Sequence, residues 1–270
     1  MNILLGVYSL VLGLMVGSFL NVVLFRYGTG MGLGGRSRCV SSGKTLRWYE
    51  LVPVMSFVIQ KGRSRHTQTK IPLQYPLVEL MTGTLFLFAF WFVFIFLNQF
   101  SVSALIQYIV LCVIFSYAVL VFVYDTKHMM IPHHFSYPLV IISLLSLFFD
   151  YTNLTLAVPT LESILSGPLV ALPFFVLWLV SRGRWIGFAD GVIALSMGWF
   201  LGWRFGLVAI LFSFWIGALV GIVFLLMRSK DRKNKQSLPF APFLLAGLGI
   251  SSLFSSGILE LGNFFIFLGL

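Results

Sequence analysis

Acidic side chains are scarce in this sequence. Its 270 residues include eight Asp and Glu against eighteen Lys and Arg, and charged residues make up only 10% of it. Soluble domains average roughly 25% charged residues, so an ordinary soluble domain is excluded. Cysteine is nearly absent, with Cys39 in a polar stretch and Cys112 in the middle of an apolar one. Two such residues imply no disulfide framework and supply no pair at metal-ligand spacing. Histidine is also rare, and no His-Glu-x-x-His pattern occurs. His66, His128, His133 and His134 leave a metal-dependent protease as a minor alternative that chelator sensitivity would reveal.

What the chain has instead is apolar length. It is 59% hydrophobic with mean hydropathy +0.99, and its apolar runs reach about 20 residues, the length that crosses a bilayer. The expected fold is all-α: a single polytopic membrane bundle over 1–270. About eight transmembrane helices are placed near 3–25, 76–97, 102–124, 135–149, 163–180, from 190 onward, 205–227 and 238–270. No positive charge precedes the first run and no small-residue cleavage site follows it, so it reads as a retained span rather than a signal peptide.

The net charge of +10 and pI near 9.9 would suggest nucleic acid in a soluble protein. Here the basic residues fall between spans, which is topology setting rather than nucleic-acid binding. The long loop 26–76 carries Arg26, Arg36, Arg38, Lys44, Arg47, Lys61, Arg63, Arg65 and Lys70 against one acid, Glu50. Together with the basic stretches 181–184 and 228–235 it is assigned to the cytoplasm, with both termini outside. Attraction to anionic lipid accounts for such a charge run without a specific partner. Within the loop, Gly28 to Gly35 reads as flexible. The apolar stretch 51–59 either lies on the bilayer surface or packs on the bundle.

Acids at a membrane edge are candidates for function. Glu50, Asp150, Glu162 and Asp231 fall in expected loops, and Glu260 in the terminal run. Glu79, Asp125 and Asp190 remain, all near the expected cytoplasmic face. Asp125 ends the third span and Asp190 begins the sixth. Two adjacent carboxylates share a proton, so one can activate water while the other protonates, and an amide is hydrolysed without metal or covalent nucleophile. Asp190 at a helix start is assigned as base and Asp125 at a helix end as acid, within a pair that titrates as a unit. Gly187 permits close backbone approach. The plainer alternative is that Asp125 only caps its helix or pairs with Lys127, and Asp190 with Arg184. A transporter using both acids as a proton relay is the rival from another class; it expects midplane acids and internal symmetry. Asn21 and Ser18 share one helical face, for interhelical hydrogen bonding or for substrate. Glu79 suits the first turn of its helix.

Five motifs in order resemble the type IV prepilin peptidases: Gly17-Ser18-Phe19-Leu20-Asn21 with Arg26; Tyr75-Pro76-Leu77-Val78-Glu79-Leu80; Asp125 with Ile131-Pro132; Gly187-Phe188-Ala189-Asp190, similar to a Gly-x-Gly-Asp motif; and Pro239-Phe240-Ala241-Pro242-Phe243. The resemblance implies a bacterial inner-membrane aspartic endopeptidase with catalytic Asp125 and Asp190. Gly187, Ala189, Asn21 and Glu79 would bind substrate or support the site. The enzyme would remove the basic leader of type IV prepilins or type II secretion pseudopilins at the cytoplasmic face. Many members then N-methylate the new terminus with S-adenosylmethionine. Two departures stand out. Ala189 replaces the second glycine of the motif, which is tolerated where φ is negative. Many members also carry two Cys-x-x-Cys pairs in the first loop, a plausible zinc site; here these read Cys39-Val40-Ser41-Ser42 and Ser64-Arg65-His66-Thr67, so zinc is not expected.

A coupled carboxylate pair predicts a bell-shaped dependence of proteolytic activity on pH. A flat profile from acid to alkaline pH, with the enzyme intact, counts against the pair.

Overall fold

The computed structural model describes residues 2–30, 32–38, 43–65, 67–96, 100–150, 155–226 and 238–255. The basic stretch 228–235 and most of the terminal run after 255 lie outside these residues. Among the described residues the fold is a helical membrane bundle, with five helices long and apolar enough to cross a bilayer. One two-residue β pair, β1 (Phe149–Asp150) with β2 (Thr155–Leu156), is antiparallel. The chain divides into two compact units, Met1–Leu120 and Val121–Leu270.

In the first unit, α1 (Asn2–Arg26) packs along α3 (Gln74–Phe90), which continues as a π turn over Trp91–Phe96. The sequence explains the closeness of this pair. Gly13 and Gly17 lie four apart on one face of α1, and a Cβ at either would come within 2.8 Å of Gly83 Cα or 2.7 Å of Glu79 Cα. Small residues at this spacing let two membrane helices approach backbone to backbone. The buried Ser9 hydroxyl then bonds both the Phe86 carbonyl at 2.8 Å and the Tyr108 hydroxyl at 2.7 Å. Tyr108 belongs to α4 (Val102–His128).

Between α1 and α3 the loop is more ordered than its glycines suggest. The Arg26 guanidinium donates to the carbonyls of Gly32 and Gly34 at 2.8 and 2.6 Å and to that of Arg36 at 3.4 Å. A 3-10 turn at Trp48–Glu50 and a short helix α2 (Met55–Ile59) follow. Single β-bridges, Arg38↔Thr45 and Arg63↔Lys70, close two turns.

The second unit holds the end of α4, then α5 (His133–Ser146), α6 (Leu161–Ser181), α7 (Phe188–Leu226) and α8 (Ala241–Ser255). The 39 residues of α7 would extend about 58 Å as one straight helix, nearly twice a hydrocarbon core of about 30 Å. Gly202, at φ 76 and ψ 167, breaks it. A Cβ at Gly206 would lie 3.4 Å from Gly198 Cα, whereas eight residues along a straight helix span about 12 Å. The segment therefore folds back on itself, as the separate sixth and seventh spans required. The tip of this hairpin is anchored at the start of α6: Trp199 Nε1 donates to the Ile164 carbonyl at 2.8 Å, and Trp203 Nε1 to Glu162 at 2.7 Å. Several expected boundaries move by a few residues. α4 runs on to His128, α5 begins at His133 behind Pro132, and α3 starts at Gln74.

Gly198 faces Ser166 and Gly167 on α6, and an added Cβ would come 2.5 Å from the Ser166 carbonyl oxygen. Gly198→Ala should therefore destabilise the bundle by about 1–3 kcal/mol, the usual cost of overpacking. Gly249→Ala, whose Cβ would meet nothing within 4 Å, should not. Thermal unfolding of the two variants in detergent compares them directly.

Candidate active site

Asp190 lies in the first turn of α7, and the local sequence explains its pose. α6 ends in a left-handed pair, Arg182 at φ 52 and Gly183 at φ 75, with the Gly183 N–H returning to the Trp178 carbonyl. That geometry satisfies the last carbonyls of a helix and reverses the chain. Five residues later Gly187 opens α7. The Asp190 carboxylate reaches back to accept the Gly187 N–H at 3.2 Å, while the Asp190 N–H donates to the Gly187 carbonyl at 3.2 Å. This is the side-chain half of a capping box, and it aims one carboxylate oxygen. A Cβ on residue 187 would stand 3.3 Å from that oxygen. Ala189 occupies a helical position in the same turn, so the negative φ required of an alanine there is met. Gly191 is needed for packing: a Cβ on it would come 2.8 Å from the Phe175 ring. Phe188 is enclosed by Phe175, Trp178 and His133.

Asp125 lies in the last turn of α4 rather than capping it. The helix continues through His128, whose ring packs on Tyr124, and ends at Met129 in the left-handed region, with the Met129 N–H on the Asp125 carbonyl. Its carboxylate is buried and accepts the Ala241 N–H, the first residue of α8, at 3.1 Å. Ala241 is itself fully buried, beside Phe240, whose ring packs among Phe174, Phe214 and Phe243. Residues 239–243 thus bring a backbone donor to Asp125. Nothing in an alanine side chain announces that role, and the only sequence signal was the Pro-Phe-Ala-Pro-Phe motif itself.

The two buried carboxylates lie close enough to feel each other's charge. Both are held by a backbone N–H at the start of a helix, Asp190 by its own and Asp125 by α8. The expected contrast between a helix-start and a helix-end carboxylate is therefore reduced, and helix ends alone do not separate acid from base.

Asn21 and Glu79 meet in the first unit. Asn21 Nδ2 donates to the Tyr75 carbonyl at 3.0 Å, while its buried Oδ1 has no hydrogen-bond partner. Glu79 accepts the Ser18 hydroxyl and, at 2.7 Å, the Val54 N–H from the loop. Asn21 thus joins α1 to α3, and Glu79 joins both helices to the loop. Among the described residues no group of three His, Cys, Asp or Glu converges as a metal site would require. Cys39 and His66 lie outside the described residues. At the described positions of the second Cys-x-x-Cys pair, Ser64 and Thr67 offer hydroxyls, and Thr67 Oγ1 is engaged with Thr69 Oγ1 at 2.8 Å. These positions do not fit zinc, which takes thiolates or imidazoles in closed sites. Backbone bonds close the turn instead, Ser64 N–H to the Thr69 carbonyl and Gln68 N–H to the Ser64 carbonyl.

Comparison with known proteins matches residues 11–93 to the bacterial peptidase A24 N-terminal domain and residues 112–222 to the type IV leader peptidase family. The chain belongs to the type IV leader peptidase family. A prepilin leader peptidase/N-methyltransferase of Myxococcus xanthus is 46% identical over 84 residues, 31% of this chain and 25% of the relative. One of the same description from Vibrio cholerae is 29% identical over 174 residues, 61% of this chain and 62% of the relative. A type 4 prepilin-like proteins leader peptide-processing enzyme of Escherichia coli is 38% identical over 96 residues, 28% and 36% of the two chains. The aligned regions thus span between a quarter and about three-fifths of these relatives. No solved structure matches. For this leader peptidase family member, both matched regions contribute to the geometry above: the first contains Asn21 and Glu79, the second Asp125 and Asp190.

Proline at the first position of a helix keeps the helix and lacks only the N–H. Ala241→Pro should therefore remove the donor to Asp125 and lower leader cleavage about 10- to 100-fold, the loss of a hydrogen bond to a charged group. Ala241→Ser, which keeps the N–H, should retain most of it. Initial cleavage rates at matched enzyme levels make the comparison.

Proposed function

We propose that this protein is a membrane aspartic endopeptidase that removes the leader peptide of type IV prepilins or pseudopilins, with Asp125 and Asp190 as its catalytic pair. The observation that carries this reading is two buried, charge-coupled carboxylates at helix ends, each aimed by one backbone N–H. In the reaction one aspartate is ionised and the other protonated. The ionised one takes a proton from water, whose oxygen adds to the scissile carbonyl, and the protonated one donates to the carbonyl oxygen. Collapse of the tetrahedral diol expels the amine, which takes up a proton, and the pair returns to its starting state. Gly187 leaves the approach to Asp190 free of side-chain bulk.

The site faces the cytoplasm of a bacterial inner membrane in this proposal, consistent with the basic loops of the sequence. Asn21 ties α1 to α3, and Glu79 holds the first loop to both. The relatives' names also support N-methylation of the new terminus, with S-adenosylmethionine supplying the methyl group. The peptidase chemistry runs without that donor. The proton-relay transporter finds no support, because Asp125 and Asp190 lie at helix ends rather than in mid-span.

Co-expression with a prepilin should show leader removal by the wild type, while Asp125→Ala and Asp190→Ala each lose roughly 10²–10⁴-fold or more, the scale of general acid–base catalysis. All three must reach the membrane at equal levels. Full cleavage by either variant overturns the pair. Mass spectrometry of the mature terminus reads methylation from the same sample.

A further inference from the structure

The loop between α1 and α3 presents an apolar surface that the proposed chemistry does not use. Trp48 is 78% exposed, Met55 61%, Val58 65% and Ile59 64%. These side chains share one short segment, the 3-10 turn and α2. The Phe57 ring turns the other way and lies against Gly62, where a Cβ would come within 3.2 Å of it. In the same loop, Lys44, Arg47, Lys61, Arg63, Arg65 and Lys70 are all exposed. The one acid of the loop, Glu50, is buried and accepts the Arg47 N–H at 2.8 Å. The exposed surface of the loop therefore combines apolar and cationic side chains and no exposed acid.

A second, independent feature sets where this face stands. Val54 adopts φ 60 and ψ −48, and the Met55 N–H returns to the Pro53 carbonyl. That is the γ-turn of positive φ, rare and strained, and costly for a β-branched residue. Strain of this kind persists only where the surroundings impose it. What imposes it is Glu79, which takes the Val54 N–H at 2.7 Å. Glu79 lies five residues after the start of α3 at Gln74, about 8 Å along the helix. The strained turn is thus fastened at the depth where α3 enters the bilayer, and α2 begins at the next residue.

We propose that Trp48–Ile59 is an interfacial foot that lies in the anionic headgroup layer of the membrane, with Glu79 as the clamp that fixes its depth. Apolar side chains with a tryptophan suit the headgroup–acyl boundary, and the exposed charges of the loop, all cationic, select anionic phospholipid over neutral lipid. Glu79 is on this reading a positioning residue.

The test uses the full chain with Cys39→Ser and Cys112→Ala, carrying one nitroxide at Val58→Cys or, as a reference, at the exposed Gln68→Cys. Each is reconstituted into phosphatidylcholine vesicles with and without phosphatidylglycerol. Collision with oxygen and with a water-soluble nickel complex is read by electron paramagnetic resonance. The Val58 label should collide with nickel about tenfold less than the Gln68 label while remaining open to oxygen, and should sink further when phosphatidylglycerol is present. Equal nickel access at both sites overturns the proposal. So does a Val58 label shielded from both reagents, which would mean that protein covers the face. Glu79→Leu should raise nickel access at Val58 toward the reference, and Glu79→Gln, which keeps a carbonyl acceptor, should not. An unchanged Val58 label in Glu79→Leu overturns the clamp.

Discussion

A carboxylate enclosed by apolar helices needs a hydrogen-bond donor, and in this protein each of three buried acids takes a main-chain amide. Asp190 takes one from Gly187, Asp125 one from Ala241, and Glu79 one from Val54. The geometry of the molecule follows from these three bonds. Each places a loop or a helix start against an acid; the Gly187 bond closes a local turn, while the Ala241 and Val54 bonds fix chain segments far apart in sequence. An unpaired buried charge is among the costliest features a fold can carry, so these attachments are enforced by the same acids that they hold.

Glycine supplies the complementary freedom. Gly13 and Gly17 bring α1 onto α3, Gly198 and Gly206 bring the two arms of α7 together and onto α6, and Gly191 admits the Phe175 ring beneath the Asp190 turn. Within a bilayer, close approach of this kind replaces the water-driven association available to soluble helices. The acids are positioned by amides, and the helices that present those amides are positioned by the absence of side chains.

Much of this was legible in the residues. Apolar run lengths placed the spans, and the separate seventh span expected from about 205 corresponds to the break at Gly202. Asp125 and Asp190 stood out because acids are so few. The partners of those acids were hidden for a physical reason: a backbone N–H has no residue identity, so neither Ala241 nor Val54 marks itself as a donor. Asp125 was expected to cap its helix, but α4 runs one turn further, to His128, whose ring packs on Tyr124. The order of the Gly28–Gly35 run was equally hidden, since it depends on one guanidinium gathering three carbonyls.

Asp190 has two duties that pull against each other. Its carboxylate closes the first turn of α7, and the same group is crowded against the like charge of Asp125. A neutral amide of the same shape would still accept the Gly187 N–H while shedding the repulsion. Asp190→Asn is thus expected to hold the first turn of α7 at least as firmly as the aspartate does, so that whatever the carboxylate is kept for is set against stability.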